Sequence, residues 1–231
     1  MGHNDNFVNI HFLGAAGAVT GSKFLIETSE QNILIDCGMF QGLKELRELN
    51  WRNLPLNVET IDVVLLTHGH LDHVGYLPRL LKQGFIGKII GTAPTLAIAE
   101  IILKDSAKIH EEDAEKANEE MYTKHYPALP FYTLFEAEKT ITHFQVEMPD
   151  KWIALSKNIS FRFQYNGHII GATFIELDIN GKRFVFSGDI GRPNDYLLND
   201  PKKPEWADFL FIESPGPNPR SCLKLSISKT L

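Results

Sequence analysis

The chain has 231 residues and a mass of 26.1 kDa, which suits one large domain or two small ones. Hydrophobic residues make up 43% and charged residues 23%, so we expect a packed core rather than disorder over the whole length. A net charge of -6 and a pI of ≈ 5.8 argue against a protein that bulk positive charge holds on nucleic acid.

The sequence carries no pattern typical of export or membrane anchoring. Apolar stretches such as Val63–Leu66 are far too short to span a bilayer, and the N-terminus lacks a charged and then apolar signal pattern. Asn6 breaks the myristoylation pattern that Gly2 would begin. Two cysteines, Cys37 and Cys222, cannot build a disulfide framework, so we expect a cytoplasmic protein without a membrane partner.

The N-terminal third of the chain predicts short β-strands. Apolar residues alternate with polar ones or form short apolar runs there. The predicted strands are Val8–Leu13, Lys23–Glu27, Asn32–Ile35 and Ile61–Leu66. The glycine-rich connection Gly14–Gly21 joins the first two strands, and Leu43–Leu49 has the composition of a helix.

Helices are predicted in the middle of the chain and strands again after it. The predicted helices are Gly75–Gln83, Pro94–Met121 and Thr133–His143, with Lys108–Glu120 forming a solvated charged face. The later strands are Ile159–Phe163, Ala172–Ile179, Lys182–Ser187 and Phe209–Ile212. Asn180-Gly181 is a strong signal for a hairpin between two of them. This alternation predicts an α/β fold.

The strongest chemical signal is the segment Thr67–His73, between a predicted strand and a predicted helix. It contains the imidazoles of His68, His70 and His73 and the carboxylate of Asp72, which are ligand types for zinc and similar ions. In an extended loop His68 and His70 point the same way and can reach one ion. Asp72 and His73 can face a second ion. A solvated polar loop is the alternative, but such a loop has no need of this combination directly after a buried strand.

Three further residues follow apolar strands and complete this pattern. His168 and Asp189 lie on glycine-flanked loops, where the backbone can approach a metal closely. Each would be an ordinary turn residue if taken alone. With the first cluster they predict one metal on His68, His70 and His168 and a second on Asp72 and His73, with Asp189 between them. Asp36 either orients a ligating histidine or simply forms a turn at a strand end.

These motifs resemble a known family. His68-x-His70-x-Asp72-His73 is similar to the signature of metallo-β-lactamase-fold hydrolases, and Asp36, His168 and Asp189 match other motifs of that superfamily. The sequence resembles more specifically the β-CASP branch, which includes the endonuclease of mRNA 3′-end processing and ribonuclease J. The segments that carry this finer resemblance are Phe12–Ser22, His70–Pro78, Gly167–Ala172 and Ser187–Arg192.

The resemblance implies a metallo-β-lactamase-like αβ/βα sandwich over residues 1–214, incomplete at its C-terminal end. Family members continue after the last strand with a Ser-Thr-Tyr-Gly-like sequence, whereas here Pro215-Gly216-Pro217 follows Ser214. We therefore expect the β-CASP domain and the family's last metal-ligand histidine to be absent. Residues 215–231 are expected to be an unrelated disordered tail, and self-association through uncovered apolar surface is expected.

The residues predict metal-assisted hydrolysis by two divalent ions, zinc or manganese, through a bridging hydroxide that Asp72 and Asp189 orient. The resemblance implies an RNA phosphodiester as the substrate, with activity far below that of a full-length relative. Two alternatives remain open at this point. One is a thioester or lactam hydrolase of the same superfamily, and the other is a non-catalytic metal-binding fragment.

Overall fold

The computed structural model describes residues 7–213 and contains two β-sheets with helices on one side. The first sheet has six strands in sequential order. Its strands are β1 Val8–Phe12, β2 Phe24–Thr28, β3 Asn32–Ile35, β4 Val63–Leu65, β5 Lys88–Gly91 and β6 Phe144–Val146. The first three run antiparallel, and β3 to β6 run parallel, so the carboxyl ends of these four strands meet at one edge.

The second sheet has five strands in the order β11-β10-β9-β8-β7. Its strands are β7 Ile153–Ala154, β8 Ile159–Tyr165, β9 Thr173–Ile179, β10 Lys182–Phe186 and β11 Phe209–Phe211. The predicted hairpin joins β9 to β10, with Asn180 at a φ of 53° and Gly181 at 77°. Positive φ at both central residues is what a tight two-residue turn between twisted strands requires. β10 pairs in parallel with β11, so these two carboxyl ends also lie together.

Five helices and a short 3-10 turn at Val58–Thr60 complete the described chain. The helices are α1 Lys44–Leu49, α2 Leu71–Val74, α3 Leu77–Lys82, α4 Ala93–Glu120 and α5 Leu134–Ile141. The single helix predicted for Gly75–Gln83 was wrong at its start, because α3 begins only at Leu77 and a separate turn of helix precedes it. Pro78, in the first turn of α3, lacks an N–H and suits a helix N-terminus.

The core has two layers, which follow from alternation along the strands of the first sheet. Ile33 and Ile35 face the second sheet and pack in a cluster with residues such as Phe161 and Phe186. Leu34, between them in sequence, faces the other way and packs under the helices. The fold is therefore a two-sheet sandwich with a helical layer against the first sheet, and the predicted α/β class is confirmed.

No helix within residues 7–213 is long and apolar enough to cross a membrane. The predicted tail, residues 215–231, lies outside the described residues. Asp36, His68 and Asp189 lie within three residues of strand ends, which the parallel pairs β3–β4 and β10–β11 bring to one edge of the sandwich. Asp72 and His73 lie in α2.

Candidate metal centre

Most of the candidate site is built from residues that directly follow strands. Asp36 follows β3, His68 comes three residues after the end of β4, and Asp189 comes three residues after the end of β10. His168 lies in the connection between β8 and β9, and Glu213 lies two residues beyond β11. The candidate site therefore draws on both sheets.

Asp36 is fully buried, and its carboxylate accepts three hydrogen bonds from two residues. Its Oδ1 accepts from the Thr67 backbone N–H at 2.8 Å, and its Oδ2 accepts from the Thr67 hydroxyl at 2.7 Å. Its Oδ2 also lies 2.7 Å from His73 Nδ1. The backbone of Asp36 has a φ of 55°, which is uncommon for a residue with a side chain and marks a position that its surroundings fix.

These hydrogen bonds determine which ring nitrogens face the site. His73 donates its Nδ1–H to Asp36, so Nε2 is the ring nitrogen that faces the site. The Thr67 hydroxyl gives its proton to Asp36, so at 3.1 Å it accepts the Nδ1–H of His68. The Nε2 of His68 therefore carries a lone pair. Both histidines turn Nε2 toward the site, and a metal ion on His73 would displace the proton that the nearby carboxylates stabilise there.

Four ligand atoms converge on one point, from His68, His70, His168 and Asp189, and all lie within 4.8 Å of one another. His68 Nε2 lies 3.0 Å from His70 Nδ1, and His168 Nε2 lies 3.2 Å from the same His70 nitrogen. Asp189 Oδ2 lies 3.3 Å from His168 Nε2 and 3.9 Å from His68 Nε2.

This arrangement fits a divalent metal ion. One Nδ1 proton on His70 cannot serve two imidazole acceptors equally well, so hydrogen bonds alone do not account for three nitrogens at this spacing. Tetrahedral zinc with Zn–N bonds of about 2.0–2.1 Å places its ligand nitrogens about 3.3 Å apart. The observed separations of 3.0 and 3.2 Å are close to that value. Three imidazoles and one carboxylate are a usual donor set for such ions.

A second group lies on the other side of Asp189. His73 Nε2 is 3.7 Å from Asp189 Oδ1 and 3.8 Å from Glu213 Oε2. Asp36 lies in the same cluster, but its three hydrogen bonds already occupy its oxygens, so it holds His73 rather than offering a free ligand atom. The two oxygens of Asp189 thus face different histidine groups.

Glu213 was not predicted as a site residue. It is nine-tenths buried at its side chain and accepts a 2.8 Å hydrogen bond from the Ser22 hydroxyl. The signal that could have found it is its position, since an acidic residue directly after an apolar strand also marks Asp36. Burial raises the pKa of Glu213 to about 7, although the nearby His73 opposes this shift.

The histidines of the site differ in the direction of their pKa shifts. Burial, together with the neighbouring imidazoles, holds the pKa of His68 well below its ordinary value, so its ring is neutral. Burial also lowers the pKa of His168, although Asp189 opposes this shift. For His73 burial acts in the same direction, but the Asp36 carboxylate outweighs it and raises the pKa of His73 to about 10.

Asp72 and Cys37 stand apart from these groups. Asp72 lies in α2 and is half-buried, and its carboxylate belongs to neither ligand cluster among the described residues. Its charge still acts to raise the pKa values of His73 and His168. Cys37 is a free buried thiol, and burial raises its pKa to about 12, so it offers no thiolate at neutral pH.

The loops that carry His168 and Asp189 are held by close backbone approaches. A Cβ on Gly191 would lie 1.7 Å from the carbonyl oxygen of Gly167, so only glycine allows these two loops to touch. The carbonyl of Gly171 accepts hydrogen bonds from the hydroxyls of Thr92 at 2.8 Å and Thr95 at 2.9 Å. The start of α4 therefore anchors the His168 loop.

Comparison with known proteins identifies the family. The profile described as the metallo-β-lactamase superfamily matches residues 16–222. The chain belongs to the metallo-β-lactamase superfamily. It is 34% identical over 200 residues to ribonuclease TTHA0252 of Thermus thermophilus, and 27% identical over 206 residues to endoribonuclease YSH1 of Saccharomyces cerevisiae. It is also 29% identical over 190 residues to transcription termination factor FttA of Cenarchaeum symbiosum. The resemblance to RNA-processing members of this superfamily is thereby confirmed.

The matches cover most of this chain but a smaller part of each relative. They span 87% of the chain and 42% of the Thermus protein, 87% and 25% for the yeast protein, and 79% and 27% for the archaeal protein. Among solved structures, a metallo-β-lactamase of Cronobacter sakazakii is 21% identical with a TM-score of 0.47. That match covers 83% of this chain and 63% of the other.

Proposed function

We propose that the chain is a metal-dependent hydrolase whose substrate is an RNA phosphodiester. The observation that carries the proposal is the convergence of ligand atoms from His68, His70, His168 and Asp189, with His73 on the far side of Asp189. The relatives named as a ribonuclease and an endoribonuclease support RNA over other substrates of the superfamily. The net charge of -6 lends RNA binding no support, so the chemistry of the site has to carry the argument.

The same geometry supports two divalent ions, zinc or manganese. We infer that His68, His70 and His168 hold one ion and that His73 belongs to the other. Asp189 would reach both, because its two oxygens face different histidines at 3.3 and 3.7 Å. Such ions polarise a phosphoryl oxygen. They also lower the pKa of a bound water, so that it can attack near neutral pH.

The protein's own residues would position the reaction. Asp36 fixes the tautomer and orientation of His73 through its 2.7 Å contact, as carboxylates commonly do for ligating histidines. Asp189 would accept a hydrogen bond from the attacking water and so orient it. Asp72 is proposed for the second ion and for the same orienting task, as the sequence motif predicts.

The domain bounds, the cellular location and the self-association of the protein are also proposals. We infer that residues 1–214 form the metallo-β-lactamase-like domain and that the protein works in the cytoplasm. The buried reduced Cys37 is compatible with that setting. Self-association remains a proposal, supported by exposed large apolar side chains around the sandwich, such as Ile170 at 60% and Leu197 at 89% exposure.

A substrate panel on the purified chain tests the proposal. We expect cleavage of single-stranded RNA and of an activated phosphodiester with added zinc or manganese, and loss of both activities with a chelator. The double variant His68→Ala with His70→Ala should lack activity. His125→Ala is the matched control, because His125 is exposed and outside the candidate site.

The same panel includes a thioester and a β-lactam. Turnover of either without phosphodiester cleavage would contradict RNA as the substrate and favour the small-molecule alternative. Bound metal without turnover of any substrate would contradict catalysis by this chain and favour a metal-binding fragment. Cleavage that the double variant retains would reveal a contaminating nuclease and remove the support for the site.

A further inference from the structure

A buried ammonium group lies away from the metal centre, on Lys23. The side chain of Lys23 is 1% exposed, and its Nζ donates a single hydrogen bond, to the carbonyl of Gly21 at 3.2 Å. No carboxylate of residues 7–213 forms an ion pair with it. An ammonium group has three donors, so two of them have no acceptor in the described part of the protein. The hydroxyl of the preceding residue, Ser22, donates to Glu213 in the candidate metal centre, whereas the Lys23 side chain lies outside it.

Aromatic rings compensate the charge of Lys23 only in part. Its Nζ lies 4.7 Å from the centre of the Phe40 ring and 5.0 Å from that of Tyr76. Such contacts stabilise a cation, but by less than the removal of its water destabilises it. Burial accordingly lowers the pKa of Lys23 to about 8. In most molecules Lys23 is therefore still protonated at neutral pH.

Lys23 also lines a cavity. The cavity has a volume of ≈ 270 Å³, and its walls include Leu13, Phe40, Leu54 and Tyr76. A volume below the roughly 300–1,000 Å³ of most ligand sites suits a small molecule. The walls are mainly apolar, and Arg52, which is exposed, adds a second cationic side chain to the lining. The amide of Asn50 is not available, because it exchanges two 2.8 Å hydrogen bonds with the backbone of Phe40.

We propose that this cavity binds a small carboxylate with an apolar body. The carboxylate would accept the two free donors of Lys23, and the apolar body would lie against Phe40 and Leu54. A buried cation is stabilised by a bound anion, because water can accept its hydrogen bonds but cannot neutralise its charge. A single negative charge matches the single buried ammonium. A phosphate group, which carries about −1.5 to −2 charges, would bury more charge than Lys23 neutralises.

Ligand-observed NMR titration of the full chain tests this proposal. The probes are benzoate and hexanoate, with benzyl alcohol and hexanol as neutral analogues of the same shape and inorganic phosphate as a plain anion. We expect saturable binding of at least one acid, at least about tenfold tighter than its alcohol, because the alcohol lacks the negative charge and the second acceptor oxygen that the carboxylate offers to Lys23. Phosphate should bind at least as weakly as the alcohols.

Three variants locate the binding. Lys23→Met removes the charge but keeps an apolar stem, and it should weaken acid binding about tenfold or more. Leu54→Trp keeps the ammonium and fills the cavity, so it should abolish binding, and it decides the question if Lys23→Met does not fold. Lys44→Met is the matched control, because Lys44 is exposed and pairs only with Glu48 at 3.8 Å.

Several results would overturn the proposal. These are the absence of saturable binding by either acid, equal binding of acid and alcohol, and unchanged binding in a folded Lys23→Met or Leu54→Trp variant. Binding of phosphate as tight as that of the acids would overturn the assignment to carboxylates. Loss of binding in Lys44→Met would show that surface charge, and not the cavity, holds the probes.

Discussion

Asp36 Oδ2 lies 2.7 Å from His73 Nδ1, and this contact links the end of β3 to the candidate metal centre. Because Asp36 also holds the backbone and hydroxyl of Thr67, one carboxylate sets the orientation of both His73 and, through Thr67, His68. The ring orientations of two histidines on different sides of Asp189 therefore depend on a residue that offers no free ligand atom of its own.

Replacing Asp36 by Asn should weaken metal binding without removing a ligand. The variant keeps the shape of the side chain but loses its charge and one of its acceptor oxygens, so the His73 ring is less firmly held. We expect a loss of about 10–100-fold in the affinity of the ion proposed for His73. Metal titration of the folded variant measures this. Asp62→Asn is the control, since Asp62 also accepts a backbone N–H, from Asn32, but lies outside both ligand clusters. Unchanged affinity in Asp36→Asn would contradict the orienting role.

Asp189 and His168 should differ in how many ions they affect. Asp189 faces His168 with one oxygen and His73 with the other, at 3.3 and 3.7 Å, so Asp189→Ala should weaken both ions. His168→Ala should weaken mainly the ion on His68 and His70. Stepwise titration with zinc or manganese separates the two binding events. An identical loss of one ion in both variants would rule out a bridging role for Asp189.

The hydroxyl of Thr95 should matter for metal binding although it contacts no ligand. It donates to the Gly171 carbonyl at 2.9 Å and so anchors the loop of His168. Thr95→Val keeps the shape of the side chain, and we expect it to lower the free energy of unfolding by about 1 kcal/mol and to weaken the ion on His168. The control is Thr140→Val, whose buried hydroxyl bonds only within α5. If both variants lose stability but bind metal equally well, the loop anchor has no role at the site.

The contribution of Lys23 to the free energy of unfolding should rise with pH over a narrow range. Its pKa is about 8 in the folded protein and near 10.5 when unfolded, so above pH 8 the unfolded chain binds more protons and the folded state gains stability. Above pH 9 the thiol of Cys37 acts in the opposite direction, because burial raises its pKa from 9.0 to about 12. We expect the Lys23 contribution to be a gain of about 1 kcal/mol between these two pH values. It is measured as the difference between wild type and variant, because His73, whose pKa is raised to about 10, lowers stability over the same range in both proteins.

Urea unfolding in the presence of chelator at pH 8 and pH 9 measures this gain. The variant Lys23→Met should lack it, and Lys44→Met should keep it, because Lys44 is exposed. The same gain in Lys23→Met would assign the effect to another group.

Local sequence patterns were enough to predict eight of the eleven strands and several of the residues that follow them. Asp36, His68 and Asp189 each follow an apolar strand that is readable on its own, and parallel pairing then brings strand ends together. Glu213 was missed because its position after a strand was not taken as a ligand signal, and nothing near it in sequence reveals Ser22, its partner 191 residues away. Short strands such as β6 were missed for the same reason, since β6 pairs with β5 more than 50 residues earlier.

Asp72 shows where the motif and the geometry give different information. The motif predicts Asp72 as a ligand of the second ion, whereas the clusters of ligand atoms within residues 7–213 contain His73 and Glu213 on that side. Asp72 is the second residue of α2, directly before His73, and its backbone carbonyl accepts the N–H of Ser22 at 2.9 Å. Its ligand role stays a prediction that metal titration of Asp72→Ala, compared with Glu213→Gln, would test.

Metal analysis of the purified protein tests the central claim most directly. Wild type and the double variant His68→Ala with His70→Ala are dialysed against metal-free buffer, and zinc and manganese are measured per folded chain. The converging nitrogens of His68, His70 and His168 predict that wild type retains metal and that the double variant loses most of it. Equal metal content in the two proteins would contradict the assignment of this site.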